Sequence, residues 1–300
     1  MTGLGFASLS RDVEGTQSVE KAVVDGVADE GKSRARRPRP FRRSGPLSEL
    51  FSPSSADIAQ PQAAELAVAD LCVKFQGLSA ISNVDLKLNR SIIFGLIGPN
   101  GAGKTTLVNC LTGFQQPTTG RVLLAGEDTA GWKPTKFRKA GVARTFQGGR
   151  LFKNLTVLEN VEATAVGLGL TRAKASKYAM ATLDWLGIAD RAGKLAGILP
   201  YTDERRVAIA RALVLAPAFL LLDEPAAGMS DAECDELMGF VAEIPKRFFC
   251  GVLLIEHNMR VVMGTCARVL VLDGGRAIAE GAPEDIQKNP DVISAYLGEG

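Results

Sequence analysis

The chain of 300 residues has a single histidine, His257. That excludes a metal cluster built from several histidines. Its five cysteines, at positions 72, 110, 234, 250 and 266, form no C-x-x-C pair. The spacing offers neither a zinc nor a dithiol motif and predicts reduced thiols in a cytosolic protein. No apolar run approaches ~20 residues, so no segment is expected to cross a membrane. An apolar h-region is missing from the N-terminus, so no secretory signal is expected. Charge is nearly balanced, with 35 basic and 33 acidic side chains, and the sum points to no class of partner. What is present is 46% hydrophobic and 23% charged, ordinary for a globular chain with a real core and one large domain or two small ones.

Residues 1–64 differ from the rest. They are rich in Ser, Pro, Ala, Gly and charge and show no sustained period. A disordered, basic N-terminal extension is expected there. Within it, residues 32–43 form a basic run that contains no acid. The run reads either as a contact for anionic lipid or nucleic acid or as a solvated tail.

The strongest chemical signal is Gly98-Pro99-Asn100-Gly101-Ala102-Gly103-Lys104-Thr105-Thr106. It follows the apolar run Ile92-Ile93-Phe94-Gly95-Leu96-Ile97 and leads into Leu107-Val108-Asn109-Cys110-Leu111. Strand, G-x-x-x-x-G-K-T loop and helix are what a polyphosphate requires. Glycines let the backbone curl until its N–H groups face an anion. The helix start adds the positive end of its dipole. Lys104 reaches toward β- and γ-phosphates, and the Thr105 hydroxyl is a ligand for Mg²⁺.

The second signal is Ala218-Phe219-Leu220-Leu221-Leu222-Asp223-Glu224-Pro225. It reads as a buried strand with two acids at its carboxyl end, where open α/β sheets bind ligands. One acid, Asp223, suits Mg²⁺, and the next, Glu224, suits polarising a water. The alternative is a helix cap beside a surface acid. Around these lie weaker features. Residues 66–75 and 80–88 alternate like two antiparallel strands. Phe75 is either a platform for a flat ligand or a strand-end core aromatic. Residues 121–126 read as a further strand, and 142–147 as a short one ending in Gln147, within reach of a metal or water at the P-loop. Residues 155–197 look helical, with a capping box at Thr156 and Glu159. A long helix opens at Leu199-Pro200-Tyr201-Thr202-Asp203, and another spans 231–243 behind Ser230 and Glu233. The strand 252–257 ends in His257, which reads as a γ-phosphate or water contact or as a surface residue at a helix start. A Gly274-Gly275 hairpin and helices opened by Pro283 and Pro290 close the chain.

In this order the pieces resemble the ATP-binding subunit of ABC transporters over residues 65–298. Within that family the chain is most similar to the ATPases of branched-chain amino-acid importers. The residues behind this are Asn109-Cys110-Leu111-Thr112-Gly113-Phe114, Ala143-Arg144-Thr145-Phe146-Gln147, Leu199-Pro200-Tyr201, Glu224-Pro225-Ala226-Ala227-Gly228-Met229, Ile255-Glu256-His257-Asn258-Met259 and the stretch 289–298. The resemblance implies an α/β P-loop NTPase fold with a RecA-like core, an antiparallel β subdomain and a small helical subdomain at about 155–215. It implies ATP and Mg²⁺ as ligands. Phe75 would stack on adenine, and residues 98–106 would hold the phosphates. Thr105, Gln147 and Asp223 would serve the metal. Glu224 would be the general base, Gln147 the γ-phosphate sensor and His257 the switch histidine. Leu199, Pro200, Tyr201, Thr202 and Asp203 would form the signature that meets a partner's ATP. The implied partners are a second ATP-binding subunit, in a homodimer or heterodimer, and transmembrane permease subunits, with a solute-binding protein reached indirectly. The implied place is the cytoplasmic face of the inner membrane. No nucleic acid is expected as a partner.

The signature departs from the family pattern L-S-G-G-Q, or L-P-Y-G-Q in the subgroup. Thr202 stands at the glycine and Asp203 at the glutamine. A β-branched side chain there should obstruct a close backbone–phosphate contact, and a carboxylate should repel a triphosphate. Ser230 also replaces an acidic or amide residue, and the helical insert looks short. The expected function is ATP binding and hydrolysis driving an importer. The alternative is a hydrolysis-impaired partner subunit that binds ATP but turns over poorly because of Thr202.

Overall fold

The computed structural model describes residues 65–297. The extension expected over 1–64, with its basic run, lies outside them. The described chain begins as β1 (Glu65–Phe75) and returns as β2 (Leu78–Asn89), antiparallel from Glu65 opposite Asn89 to Phe75 opposite Leu78, with the register shifting between Val68 and Lys74. Their alternating apolar side chains, among them Leu66, Val68, Val84, Leu86 and Leu88, are buried on one face. Next come β3 (Ile93–Ile97), buried throughout, and α1 (Lys104–Leu111). With β4 (Thr119–Leu124) and β5 (Glu127–Asp128), the first two strands form a four-stranded sheet in the order β2-β1-β4-β5.

Then follow α2 (Pro134–Lys139), β6 (Val142–Arg144), α3 (Val157–Gly167) and α4 (Arg172–Trp185). Two 3₁₀ turns, Ala189–Arg191 and Ala196–Ile198, lead to α5 (Tyr201–Leu213). The remainder is β7 (Phe219–Asp223), α6 (Asp231–Phe248), β8 (Gly251–Ile255), α7 (Met259–Thr265), β9 (Arg268–Asp273), β10 (Arg276–Gly281), α8 (Pro283–Lys288) and α9 (Pro290–Leu297).

The second sheet has six strands in the order β10-β9-β3-β8-β7-β6, parallel except for the edge strand β10. It is buried on both faces, which is why its strands read as unbroken apolar runs. One face sends Ile93, Leu220, Leu222, Val252 and Val269 into a core shared with α3, α4, α5 and α6. The other sends Phe94, Leu221, Leu253 and Leu270 toward α1 and the antiparallel sheet. The P-loop helix is thus clamped between the two sheets through Leu107, Val108 and Leu111.

Several boundaries differ from the sequence expectation, among them the strand expected at 252–257, which covers 251–255 and leaves His257 beyond its end, and the strand expected at 80–88, which covers 78–89. The strand expected at 121–126 covers 119–124, because Ala125 and Gly126 turn at positive φ. The strand expected to reach Gln147 stops at Arg144, and Gly148, Gly149 and Arg150 turn the chain at positive φ. The helix expected at 231–243 continues to Phe248 across Pro245. Buried Ile244, Pro245 and Phe248 hold that last turn despite the lost N–H donor.

Candidate functional site

The carboxyl ends of β3, β7 and β8 lie side by side. They deliver the P-loop, the pair Asp223-Glu224 and the pair Glu256-His257 to one edge of the sheet, where open α/β folds bind ligands. Two P-loop positions admit only glycine. At Gly98 (φ +146°) a Cβ would lie 2.0 Å from the Leu272 carbonyl oxygen. At Gly103 (φ +98°), the cap of α1, it would lie 2.7 Å from the Ala80 carbonyl oxygen. The loop is therefore pressed against β9 and β2, with its backbone fixed before any ligand arrives. Lys104 Nζ donates to the carbonyls of Gly98 (2.5 Å) and Pro99 (2.8 Å), so its ammonium lies across the mouth of the loop. Asn100, Gly101 and Thr105 are exposed and Thr106 is half-buried. Phe75 is 46% exposed at the end of β1, opposite Leu78, which rules out the core reading of this ring.

Glu224 follows β7 in the left-handed region (φ 47°), its N–H donating to the Ile255 carbonyl (3.0 Å). A non-glycine residue there stores strain of about 1–3 kcal/mol, which aims the side chain out of the strand direction. Gln147 Nε2 donates to Glu224 Oε2 at 3.2 Å. His257 Nδ1 lies 3.7 Å from Glu224 Oε1, just outside hydrogen-bond length. Three residues separated in sequence thus meet around one carboxylate.

Asp223 faces inward. Its Oδ2 accepts from Arg144 Nη2 at 2.8 Å, and Arg144 Nη1 donates to Asn109 Oδ1 on α1 at 2.6 Å. Its own N–H donates to Thr145 Oγ1 (3.1 Å). Of the residues expected at a metal, the Thr105 hydroxyl and the Asp223 carboxylate would offer hard oxygens, the kind that suit Mg²⁺. No group of three or more His, Cys, Asp or Glu side chains able to hold a metal occurs among the described residues. A dedicated protein cage is not what these residues build, and Mg²⁺ does not need one.

The segment 199–203 opens α5, with Pro200 as its cap and no side-chain capping bond. Tyr201 is 43% exposed; its hydroxyl donates to the Ala227 carbonyl (2.8 Å) and accepts from Arg205 Nη2. Leu199 and Thr202 are half-buried. The Asp203 carboxylate is buried and sits 2.8 Å from Arg191 Nε. It points into the helices that carry it. The contacts of this segment run to the loop after β7, which places it beside Ala227 and Gly228.

Sequence reasoning missed the roles of Arg144, Asn109 and Glu256. Arg144 was marked only by being a charge inside a short apolar strand. Glu256 was marked by following five buried residues of β8. It is 1% exposed; Oε1 accepts from Ala226 N–H (3.0 Å) and Oε2 has no hydrogen-bond partner. Burial pushes its carboxyl above the ordinary value, against the lowering by the Ala226 N–H and by His257.

Comparison with known proteins bears on the family and the fold. The family model described as "ABC transporter" matches residues 81–227, and one described as "Branched-chain amino acid ATP-binding cassette transporter" matches 278–300. The chain is 42% identical over 249 residues to the high-affinity branched-chain amino acid transport ATP-binding protein BraF of Pseudomonas aeruginosa, covering 78% of this chain and 98% of that one. It is 43% identical, with the same coverage, to LivG of Escherichia coli, which carries the same description. Among solved structures, the ADP conformation of the ATP-binding cassette MJ1267 aligns with TM-score 0.71 and 28% identity, over 78% of this chain and 98% of that one. A dimeric cassette, MJ0796, aligns with TM-score 0.66 at 23% identity over 73% of this chain and 98% of that one, a likeness of fold.

Proposed function

The chain belongs to the ABC transporter family of ATP-binding subunits, and from that premise we propose that it powers the import of branched-chain amino acids. It is an ATPase whose hydrolysis is coupled to transport. The observation that carries the reading is the meeting of Gln147 and His257 around Glu224, at the same sheet edge as the P-loop. The described residues contain no helix long and apolar enough to cross a membrane. In this proposal transmembrane permease subunits supply the channel, and this subunit sits against them on the cytoplasmic face of the inner membrane. The names of BraF and LivG support the solute class.

In this proposal the adenine stacks on Phe75, and the phosphates lie in the loop 98–106 under Lys104. Thr105, Gln147 and Asp223 would hold Mg²⁺, which would supply positive charge against the phosphates. Glu224 accepts a proton from the attacking water. Gln147 and His257 fix that carboxylate and report the γ-phosphate. The signature 199–203 meets the ATP of a second subunit, so closure on ATP and opening after hydrolysis move the permease. The comparisons give no support to a hydrolysis-impaired subunit. The expected repulsion by Asp203 is also absent from its geometry, since Arg191 holds that carboxylate inside the helical layer.

The test is ATP-driven leucine uptake by liposomes carrying the full chain, its permease subunits and a solute-binding protein. Glu224→Gln should lower turnover by about 100-fold or more, within the range for losing a general base, while ATP affinity stays close to the parent's. Turnover that survives in Glu224→Gln overturns the base. ATP turnover with no uptake of leucine, isoleucine or valine overturns the solute class.

A further inference from the structure

Asp223 carries a buried cation of its own. Arg144 and Asp223 are 8% and 13% exposed at the side chain, and 2.8 Å separates Nη2 from Oδ2. The guanidinium is permanently charged, so the carboxylate is already neutralised. Arg144 is also held in place from two further sides. Nη1 donates to Asn109 on the P-loop helix at 2.6 Å. The guanidinium carbon lies 5.0 Å from the Phe146 ring centroid and 5.9 Å from that of Phe114, and these rings meet edge to face at 5.5 Å. A fork gripped by a carboxylate, an amide and two aromatic faces has little freedom to swing out. A divalent cation that approaches Asp223 must therefore share the carboxylate with Arg144.

That competition has a direction. At the short distances of a buried site, two cations on one carboxylate repel strongly. With a polyphosphate in the loop, Asp223 beside Arg144 would still be a weaker cation ligand than a carboxylate without that partner. We infer that Arg144 is a positioning residue which, acting through Asp223, holds down the Mg²⁺ dependence of nucleotide binding. The inference rests on the metal role of Asp223 proposed above.

The test measures ADP affinity of the full chain by calorimetry, in excess Mg²⁺ and again in chelator. The quantity read is the ratio of the Kd in chelator to the Kd in Mg²⁺. Damage to the pocket scales both constants and leaves the ratio unmoved, whereas a changed coupling between two ligands moves it. Arg144→Gln, which removes the charge, should raise the ratio by about fivefold or more, the lower end of ordinary coupling between ligands. Arg144→Lys, which keeps the charge, should stay within about twofold of the parent. A ratio in Arg144→Gln that is unchanged or lower overturns the inference. If Arg144→Gln does not fold, Arg144→Lys decides: a ratio moved by about fivefold or more there means that fork geometry rather than charge governs, and overturns it too. A parent ratio near one overturns the metal role of Thr105 and Asp223 themselves, which separates that failure from the failure of Arg144.

Discussion

Thr202 is the residue at which sequence and geometry have most to settle. It lies in the first turn of α5 and is not among the residues with positive φ. The conformational freedom of glycine is therefore not needed at this position, and only close approach to a partner's phosphate can make the side chain matter. The side chain is half-buried in its own layer. For a hydrolysing subunit the expected result is that Thr202→Gly leaves turnover of the reconstituted transporter within about threefold of the parent; a rise of tenfold, about 1.4 kcal/mol of barrier, would reveal a brake. Glu256 gives a second residue-scale prediction, with a sign set by burial. Its folded-state value is raised above 4.5, so the folded state favours the protonated form. The carboxyl costs nothing below its ordinary value. The cost sets in as pH rises through the folded-state value and then persists. Gln at 256 keeps an acceptor for Ala226 N–H and removes the buried charge. At about pH 7.5 the full chain with Glu256→Gln should melt above the parent. The gap should narrow as pH falls toward 5. A variant that melts lower at both ends of that range would show that the carboxylate is stabilising where it stands.

At the scale of elements, the start of α3 shows how local chemistry fixes a boundary. Thr156 Oγ1 accepts from Glu159 N–H (3.1 Å), and Glu159 Oε2 accepts from Thr156 N–H (2.9 Å). Each satisfies a donor that the helix end leaves free. Thr156→Ala should cost about 1 kcal/mol, read as a drop of roughly 2–4 °C in Tm; an unchanged Tm would mean that the pairing of Thr156 with Leu195 already fixes the start. Such a box is legible in sequence because it spans three residues. The same holds for the buried strands β3, β7 and β8, whose apolar runs need no tertiary context, for Lys104 at the end of the glycine loop after β3, and for Asp223 and Glu224 at the carboxyl end of β7. Illegible were α2, of six residues, and β5, of two, which are too short to show a period. Contacts across the chain were illegible for another reason. Arg144 and Asp223 are 79 residues apart, and nothing local to either announces the other. Asp203 was assigned to a partner's phosphate by position in a motif; its buried pairing with Arg191 follows from how the 3₁₀ turn at 189–191 packs, which no spacing encodes.

At the scale of the whole molecule, the site is half of one. Both sheets bury their inner faces, yet the P-loop edge keeps Asn100, Gly101 and Thr105 exposed, and the start of α5 keeps Pro200 and Tyr201 exposed. A triphosphate on that edge is covered from one side only. The first turn of α5 has N–H groups without a side-chain cap and carries the acids Asp203 and Glu204, of which Asp203 is buried against Arg191. An edge that presents phosphates and a helix start that accepts them are complementary between two subunits placed head to tail. In the proposed pair ATP would be the glue of the interface, and hydrolysis would dissolve it. Blocking hydrolysis should trap the closed pair. The full chain carrying Glu224→Gln, alone or mixed with a second ATP-binding subunit of the transporter, should double in mass by light scattering when ATP is added and revert with ADP. A stable pair of this kind buries about 1,600 Å² or more, so the peaks should separate cleanly. If neither mixture gains mass with ATP while ATP binding is intact, the signature does not act on a partner, and the site must close by some contact within the chain.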